Sequence, residues 1–161
     1  TRVKLGWRSA TDDREGDKEE VPSSRIPTEE QVRAALAGFE GVISQRPPIY
    51  SALKIGGRAA YKLARAHKQI ELSERRVEAK VVELIRYEWP WVDVRLVTGS
   101  GFYVRSFARD LGEALGTGGY VDQLERTRVG AFTKEQAVRI SDLQRRSPHG
   151  GPEGPNPDAV P

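Results

Sequence analysis

Three segments of the chain alternate hydrophobic with polar residues, at positions 3–7, 77–87 and 92–98. Side chains on a strand point alternately to the two faces of a sheet, so this period of two predicts half-buried strands. A bulge is expected near Val82. Trp89-Pro90-Trp91 separates the last two segments, which favours an antiparallel hairpin. We interpret the two tryptophans as caps on the open end of the sheet, with base-stacking platforms as the alternative.

Two other segments carry hydrophobic residues at helical spacing. Thr28 and Gln31 have the spacing of a capping box, and the helix behind them is expected to end at Gly38 or Gly41. Its buried stripe would consist of Val32, Ala35, Leu36 and Phe39. A second helix is expected after the glycine turn at residues 99–101. Its stripe would consist of Val104, Phe107 or Ala108, Leu111 and Leu115.

Three shorter elements are expected towards the carboxyl end: a helix over residues 120–125, a basic strand over 126–132 and a helical turn over 141–146. Residues 147–161 are rich in proline and glycine, which is typical of disorder.

The composition narrows the classes of function. The chain has 161 residues, enough for one domain or part of one, and its formal charge is only +3. Any nucleic-acid-binding surface would therefore have to arise from clustered cations rather than from net charge. With no Cys and two isolated His, zinc sites, disulfides and a thiol nucleophile are not expected. No apolar run is long enough for a membrane span, and we expect a cytoplasmic protein.

The chain contains no Met and begins in what reads as the middle of a strand. We therefore expect it to be a fragment, a processed product, or the ordered part of a longer protein.

The stretch from Gln45 to Arg65 combines cations, aromatic rings, and proline and glycine pairs that restrict or free the backbone. Two prolines at 47 and 48 stiffen its start, and two glycines at 56 and 57 precede a helix expected from Arg58 to about Ala66. Arg58, Lys62 and Arg65 would share one face of that helix. Such an arm suits a looped RNA whose bases stack on aromatic rings. The alternative is a solvated amphipathic helix whose apolar side chains face the core.

This stretch resembles the thumb segment of the bacterial-type tRNA pseudouridine-55 synthases, the TruB family, which reads Q-x-P-P-x-Y-S-A-x-K-x-x-G-x-R-x-Y-x-x-A-R. The matching residues are Gln45, Pro47, Pro48, Tyr50, Ser51, Ala52, Lys54, Gly57, Arg58, Tyr61, Ala64 and Arg65. The arginine of the pattern stands one position earlier here.

A second motif of the family, S-K-G-T-Y-I-R-S-L-x-x-D-L-G-x-x-L-G, resembles the start of the second predicted helix. Its matches are Ser100, Gly101, Tyr103, Arg105, Ser106, Asp110, Leu111, Gly112, Leu115 and Gly116, and the lysine is missing. The resemblance implies that Tyr103 lines the uracil pocket and that Arg105 pairs with the catalytic aspartate. Further on, L-E-R-T-R-V-G-A-F is similar to the family's L-R-R-T-x-V-G-x-F, which implies that Leu124 packs against the target base.

A third motif, L-G-x-x-T-D-T-x-D-x-x-G, forms an active-site-facing loop in the family and is matched by Leu5, Gly6, Thr11, Asp13 and Gly16. Ala10 stands where the family carries its first aspartate, so a role for that carboxylate is not carried over. The alternative reading of Asp12 and Asp13 is the capping of a polar turn.

The resemblance implies an α/β (α+β) fold with a mixed, largely antiparallel sheet, packed helices and a projecting thumb at about residues 45–67. Residues 1–146 would form part of a pseudouridine synthase catalytic domain. The implied activity is the isomerisation of uridine 55 in the T loop of tRNA, without a cofactor or metal, after the base has left its stack.

The aspartate required for glycosidic cleavage sits in a G-x-L-D-P-x-A-x-G segment of the family, and no such segment occurs in these 161 residues. The partner implied is the T arm of tRNA, bound by a monomer. The RNA-binding residues implied are Asp13, Pro48, Tyr50, Lys54, Arg58, Tyr61, Lys62 and Arg65. The alternatives are a non-catalytic tRNA-binding or folding-helper module, and a fragment whose basic face binds polyanions loosely.

Overall fold

The computed structural model describes residues 1–23, 25–51, 54–55, 58–59 and 72–145. The predicted disordered tail lies outside these residues. The chain divides into two compact units, Thr1–Glu125 and Arg126–Pro161. The prediction of one domain over residues 1–146 stays a prediction.

The first unit is built on a five-stranded sheet. Its strands, in spatial order, are β4 (Gly41–Gln45), β7 (Arg75–Glu88), β8 (Trp91–Thr98), β1 (Arg2–Leu5) and β9 (Gly119–Gln123). All neighbouring pairs in this sheet are antiparallel, and an isolated parallel bridge joins Asp13 to Val121. The predicted α+β class with a largely antiparallel sheet is therefore confirmed. Two-stranded ribbons pair β2 (Trp7–Ser9) with β3 (Lys18–Glu20) and β5 (Lys54–Ile55) with β6 (Arg58–Ala59).

One face of the sheet and two helices enclose the core. Helix α1 spans Glu29–Ala37 and helix α2 spans Val104–Ala114. The strands contribute Val3, Leu5, Val92, Val94 and Val121, and the helices contribute Val32, Leu36, Phe107, Ala108 and Leu111. Removing one such large apolar side chain from water contributes about 1.5–3 kcal/mol. The period-two and helical stripes of the sequence thus meet in one cluster.

Helix α1 begins and ends as predicted. The Thr28 hydroxyl accepts from the Gln31 amide at 3.3 Å, and the Gln31 side chain accepts from the Thr28 amide at 2.9 Å. Gly38 is the C-cap. The capping box satisfies two N–H groups that the helix itself leaves free, which fixes its first residue.

The predicted hairpin of β7 and β8 is confirmed, and its register shifts twice, between Ala79 and Val81 and between Leu84 and Arg86. Trp89 packs on Gly6, where an added Cβ would lie 3.3 Å from its ring. Trp91 instead makes a cation–π contact with Lys4, whose ammonium lies 5.4 Å from the ring centroid.

The strand predicted across residues 3–7 is broken at Gly6. Gly6 has φ +85°, a left-handed conformation open to glycine, and the chain turns there from β1 into β2. Period-two patterning continues across this break because both flanking segments are extended.

The helix predicted over residues 120–125 is wrong: Gly119–Gln123 form β9, which pairs with β1. Gly118 at φ +67° ends any helical continuation, and the free edge of β1 supplies hydrogen-bond partners. The helix predicted from Arg58 is also wrong at its start, because Arg58–Ala59 form β6. Its remainder lies outside the described residues.

The second unit contains a small hairpin of β10 (Arg128–Val129) and β11 (Phe132–Thr133), a 3-10 turn at Lys134–Gln136 and helix α3 (Ile140–Arg145). The prediction of one strand over residues 126–132 is wrong, because the left-handed Gly130 at φ +59° turns the chain back on itself. The last helix is found where it was expected.

Helix α2 lies directly against the chain segment that leads into β9. An added Cβ on Gly112 would lie 2.1 Å from the carbonyl carbon of Gly118 and 2.2 Å from the Gly119 nitrogen. The Gly112 carbonyl also accepts from the amides of Thr117 and Gly118, at 2.9 and 3.0 Å. There is no space for a side chain at this crossing.

Gly112→Ala should therefore destabilise the protein, although alanine is favoured over glycine in a helix by about 1 kcal/mol. Backbone atoms cannot move aside as a flexible side chain can, so we expect a net loss of about 1–3 kcal/mol in urea unfolding. Gly99→Ala is the control, since its Cβ would meet nothing closer than 3.6 Å. Equal unfolding free energies of the two variants would contradict the close backbone contact of Gly112 with Gly118 and Gly119.

Candidate functional site

The start of helix α2 is held by a buried glutamine from the end of β4. The Gln45 side chain accepts from the Tyr103 amide at 3.0 Å and donates to the Tyr103 carbonyl at 3.3 Å. Tyr103 is the N-cap residue, and its own side chain makes no capping bond. Gln45 is only 1% exposed, so the two bonds satisfy an amide that water does not reach.

Arg105, in the first turn of α2, reaches two separate segments. One segment is the acidic loop, residues 10–17 between β2 and β3, and the other is the thumb base, residues 45–50. Its Nη1 lies 3.1 Å from Oδ2 of Asp13 and donates to the Thr11 carbonyl at 3.2 Å. Its Nη2 donates to the Tyr50 carbonyl at 2.8 Å. Arg105, Asp13 and Tyr50 are all site residues predicted from the sequence, and the structure brings the three together.

The acidic loop presents Asp13 in a fixed orientation. Its Oδ1 accepts from the Thr11 hydroxyl at 2.6 Å and from the Glu15 amide at 3.0 Å, which leaves Oδ2 for the guanidinium. The Ser9 hydroxyl donates to the Asp13 carbonyl. Hydrogen bonds to an ionised carboxylate are stronger than neutral ones, so the loop and the arginine stabilise one another.

Arg109 makes a second set of contacts one helical turn along α2. Its Nη1 donates to Oδ2 of Asp12 at 3.1 Å, its Nε to Oδ1 of Asp110 at 2.9 Å, and its Nη2 to the Arg46 carbonyl at 2.9 Å. The Ser106 hydroxyl donates to the same Arg46 carbonyl at 2.8 Å. Arg109 is not among the site residues predicted from the sequence. Its spacing of four from Arg105 was the signal in the sequence.

Burial raises the pKa values of the two carboxylates that contact Arg109, those of Asp12 and Asp110. Desolvation raises the pKa of Asp12 above its ordinary value, while the charges of Arg109 and Arg105 oppose the shift. Desolvation likewise raises the pKa of Asp110, against the opposing charge of Arg109. These carboxylates are thus held in partly dry surroundings where each requires its cation.

The remaining predicted site residues are distributed as follows. Pro48 is buried in the thumb base, Tyr103 is partly exposed, and Leu124 is 56% exposed at the end of the first unit. Lys54 and Arg58 lie in the β5–β6 ribbon. Tyr61, Lys62 and Arg65 lie outside the described residues. Their assigned roles stay predictions.

The described part of the chain contains neither a metal-binding cluster nor a membrane-spanning helix. No group of three or more His, Asp or Glu side chains there could hold a metal ion. No helix there is long and apolar enough to cross a membrane.

Two family models together cover most of the chain and identify its class. Residues 1–104 match the family model "TruB family pseudouridylate synthase (N terminal domain)", and residues 105–148 match "tRNA pseudouridylate synthase B C-terminal domain". These matches define the class as the pseudouridylate synthases. The chain belongs to the TruB family.

Individual relatives agree with this assignment. The chain is 43% identical over 149 residues to tRNA pseudouridine synthase B of Caulobacter sp. (strain K31), covering 91% of this chain and 48% of the relative. It is 41% identical over 149 residues to the protein of the same name from Mycobacterium tuberculosis (strain H37Rv), covering 89% and 50%. The chain thus spans about half the length of these relatives.

A solved structure shares the fold. It carries the description "Crystal Structure of a Cbf5-Nop10-Gar1 Complex" and matches with a TM-score of 0.58 and 28% identity. The match covers 88% of this chain and 34% of that chain.

The raised pKa of Asp12 predicts a pH dependence of stability. Between the ordinary carboxyl pKa and the raised value, the folded chain binds more protons at Asp12 than the unfolded chain. The free energy of unfolding should therefore fall as pH rises through this window, and Asp12→Asn should remove that part of the fall. Urea unfolding measured from about pH 3 to pH 7 tests this.

Asp93→Asn provides a control of opposite sign. A hydrogen bond from Arg2 lowers the pKa of Asp93, so its stabilising contribution is present above the ordinary pKa and is lost as pH falls through the lowered one. If Asp12→Asn and the parent chain show the same pH dependence, burial does not perturb Asp12.

Proposed function

We propose that this chain supplies the tRNA-holding and arginine-bearing part of a tRNA pseudouridine synthase that isomerises uridine 55 of the T loop. The observation that carries the proposal is the Arg105 guanidinium, which is anchored at once to the Asp13 carboxylate and the Tyr50 carbonyl. It is 26% exposed, so it offers a fixed cation beside an open surface. Family membership supports the same activity.

The chemistry needs no redox group, because the base is detached, turned and rejoined through a different atom. A carboxylate that is partly removed from water stays ionised only beside a cation. A guanidinium suits this role because its planar fork binds both oxygens and does not lose its proton. In the proposal Arg105 holds the nucleophilic aspartate, and Tyr103 and Leu124 contact the base that has left its stack.

The nucleophilic aspartate itself is not assigned within these residues, since no G-x-L-D-P segment occurs among them. In the proposal it is contributed by a segment outside the 161 residues. The thumb would grip the T arm through Pro48, Tyr50, Lys54, Arg58, Tyr61, Lys62 and Arg65. The protein would act as a cytoplasmic monomer without a cofactor.

One observation favours a second function. The same missing motif is what a non-catalytic tRNA-binding or folding-helper module would show. Such a module would retain the thumb and lose the isomerisation.

Tritium release from tRNA labelled at carbon 5 of uridine separates the two functions. The 161-residue chain is assayed alone and fused behind the N-terminal half of the Caulobacter relative. Release by the fusion but not by the unfused chain supports the synthase. Release by the unfused chain would mean that one of its own carboxylates does the chemistry. Preference for a T-arm hairpin over a scrambled one, without release by either protein, supports the binding module. If neither protein releases tritium and neither prefers the T-arm hairpin, both functions are overturned.

Arg105→Lys should abolish tritium release by the active fusion while leaving tRNA affinity within a few-fold. A lysine ammonium cannot bind two carboxylate oxygens and also reach the thumb base. Arg33→Lys is the matched control, because Arg33 forms an exposed ion pair with Glu29 at 2.6 Å. Normal turnover by Arg105→Lys would show that Arg105 is not the partner of the nucleophile.

Arg58→Ala combined with Lys62→Ala should weaken tRNA binding. Each lost phosphate contact should lower the slope of log affinity against log salt by about 1. Lys80→Ala with Arg95→Ala removes the same two residue types from exposed positions on the hairpin and should leave the slope unchanged. An unchanged slope in the thumb variant would move the RNA surface elsewhere.

A further inference from the structure

We propose that Arg109 is a positioning residue that orients the acidic loop, and with it Asp13, against Arg105. The proposal rests on the proposed function for its effect on turnover. The contacts that carry it lie entirely in the first unit.

Two arginines of α2 each contact both the acidic loop and the thumb base. Arg105 joins Asp13 to the Tyr50 carbonyl, and Arg109 joins Asp12 to the Arg46 carbonyl. One attachment leaves a loop free to pivot about it. A second attachment, one helical turn away, fixes its direction as well as its distance.

Asp12 occupies a position that needs a specific partner. It has φ +59°, a conformation that non-glycine residues seldom adopt, and its side chain is only 16% exposed. Its carbonyl accepts from the Val121 amide at 3.0 Å, which ties the loop to strand β9. An unpaired carboxylate at this depth is unfavourable, so loss of the Arg109 charge should drive Asp12 outward and release the loop.

The thumb base does not depend on Arg109 to the same degree. Ser106 donates to the Arg46 carbonyl at 2.8 Å, and Gln45 stays bonded to Tyr103. Asp110 lies on the Nε–Nη2 edge of the guanidinium, 2.8 Å from Nη2. Removing Arg109 should therefore disturb the acidic loop and spare the thumb base.

This asymmetry distinguishes positioning from general stability. Hydrogen exchange of the Val121 amide reports on the loop attachment, and exchange of the Tyr103 and Leu5 amides reports on the thumb base and the sheet. In the 161-residue chain, Arg109→Ala should accelerate exchange at Val121 by roughly tenfold or more and leave the other two near their parent rates. Arg33→Ala is the matched control and should change none of the three.

The effect on chemistry is measured in the fusion described above. A displaced Asp13 should lower kcat by roughly 10- to 100-fold, because small misplacements of a reacting constellation are costly. KM should stay within a few-fold, since the thumb base is intact. Arg109→Lys keeps the charge beside Asp12 without the fork and should recover part of kcat.

A double-mutant comparison isolates the Arg109–Asp12 contact. Asp12→Asn tolerates the left-handed backbone but lacks the charge. Combining it with Arg109→Ala should lower kcat little beyond the loss caused by Arg109→Ala alone. Fully additive losses would overturn the proposal. So would equal acceleration of exchange at all three amides, or none at Val121. Selective acceleration at Val121 in a chain whose fusion releases no tritium would uphold the positioning and refute the proposed function instead.

Discussion

The hydrogen bonds between Gln45 and Tyr103 set the geometry on which the site depends. A buried amide side chain needs partners for its oxygen and its nitrogen, and the main chain of Tyr103 supplies both. The end of β4 is therefore fixed against the first residue of α2. Given that register, Ser106, Arg105 and Arg109 each meet a carbonyl of the thumb base within 2.9 Å. A shift of one residue in either element would remove all of these contacts together.

The electrostatics of the acidic loop follow from pairing Asp12 and Asp13 with different arginines. Asp12 and Asp13 are neighbours in sequence, and two like charges in partly dry surroundings repel one another. The loop directs the two side chains to guanidinium groups one helical turn apart, each at 3.1 Å. Arginine suits both positions, because each fork also serves a backbone carbonyl that a single ammonium would not reach at the same time.

The predictable parts of the fold are those whose determinants are local. The capping box at Thr28 and the hairpin around Pro90 could be identified because neighbouring residues carry the signal. The break at Gly6 and strand β9 could not, since a left-handed glycine and a free sheet edge decide them and neither shows in a hydrophobic pattern. Arg105 was found through family resemblance. Arg109 was missed because its partners Asp12 and Arg46 lie 97 and 63 residues away in sequence.

The boundary between the two matching family regions falls at the start of α2, between residues 104 and 105. The acidic loop and the thumb base belong to the first region, whereas both arginines belong to the second. Yet residues 1–125 form one compact unit, and β9, which follows α2, pairs with β1. The site is thus assembled by the folding of the two regions together. A chain cut at this boundary would separate Asp12 and Asp13 from their arginines, and would leave Arg105 without Asp13 and Arg109 with Asp110 but without Asp12.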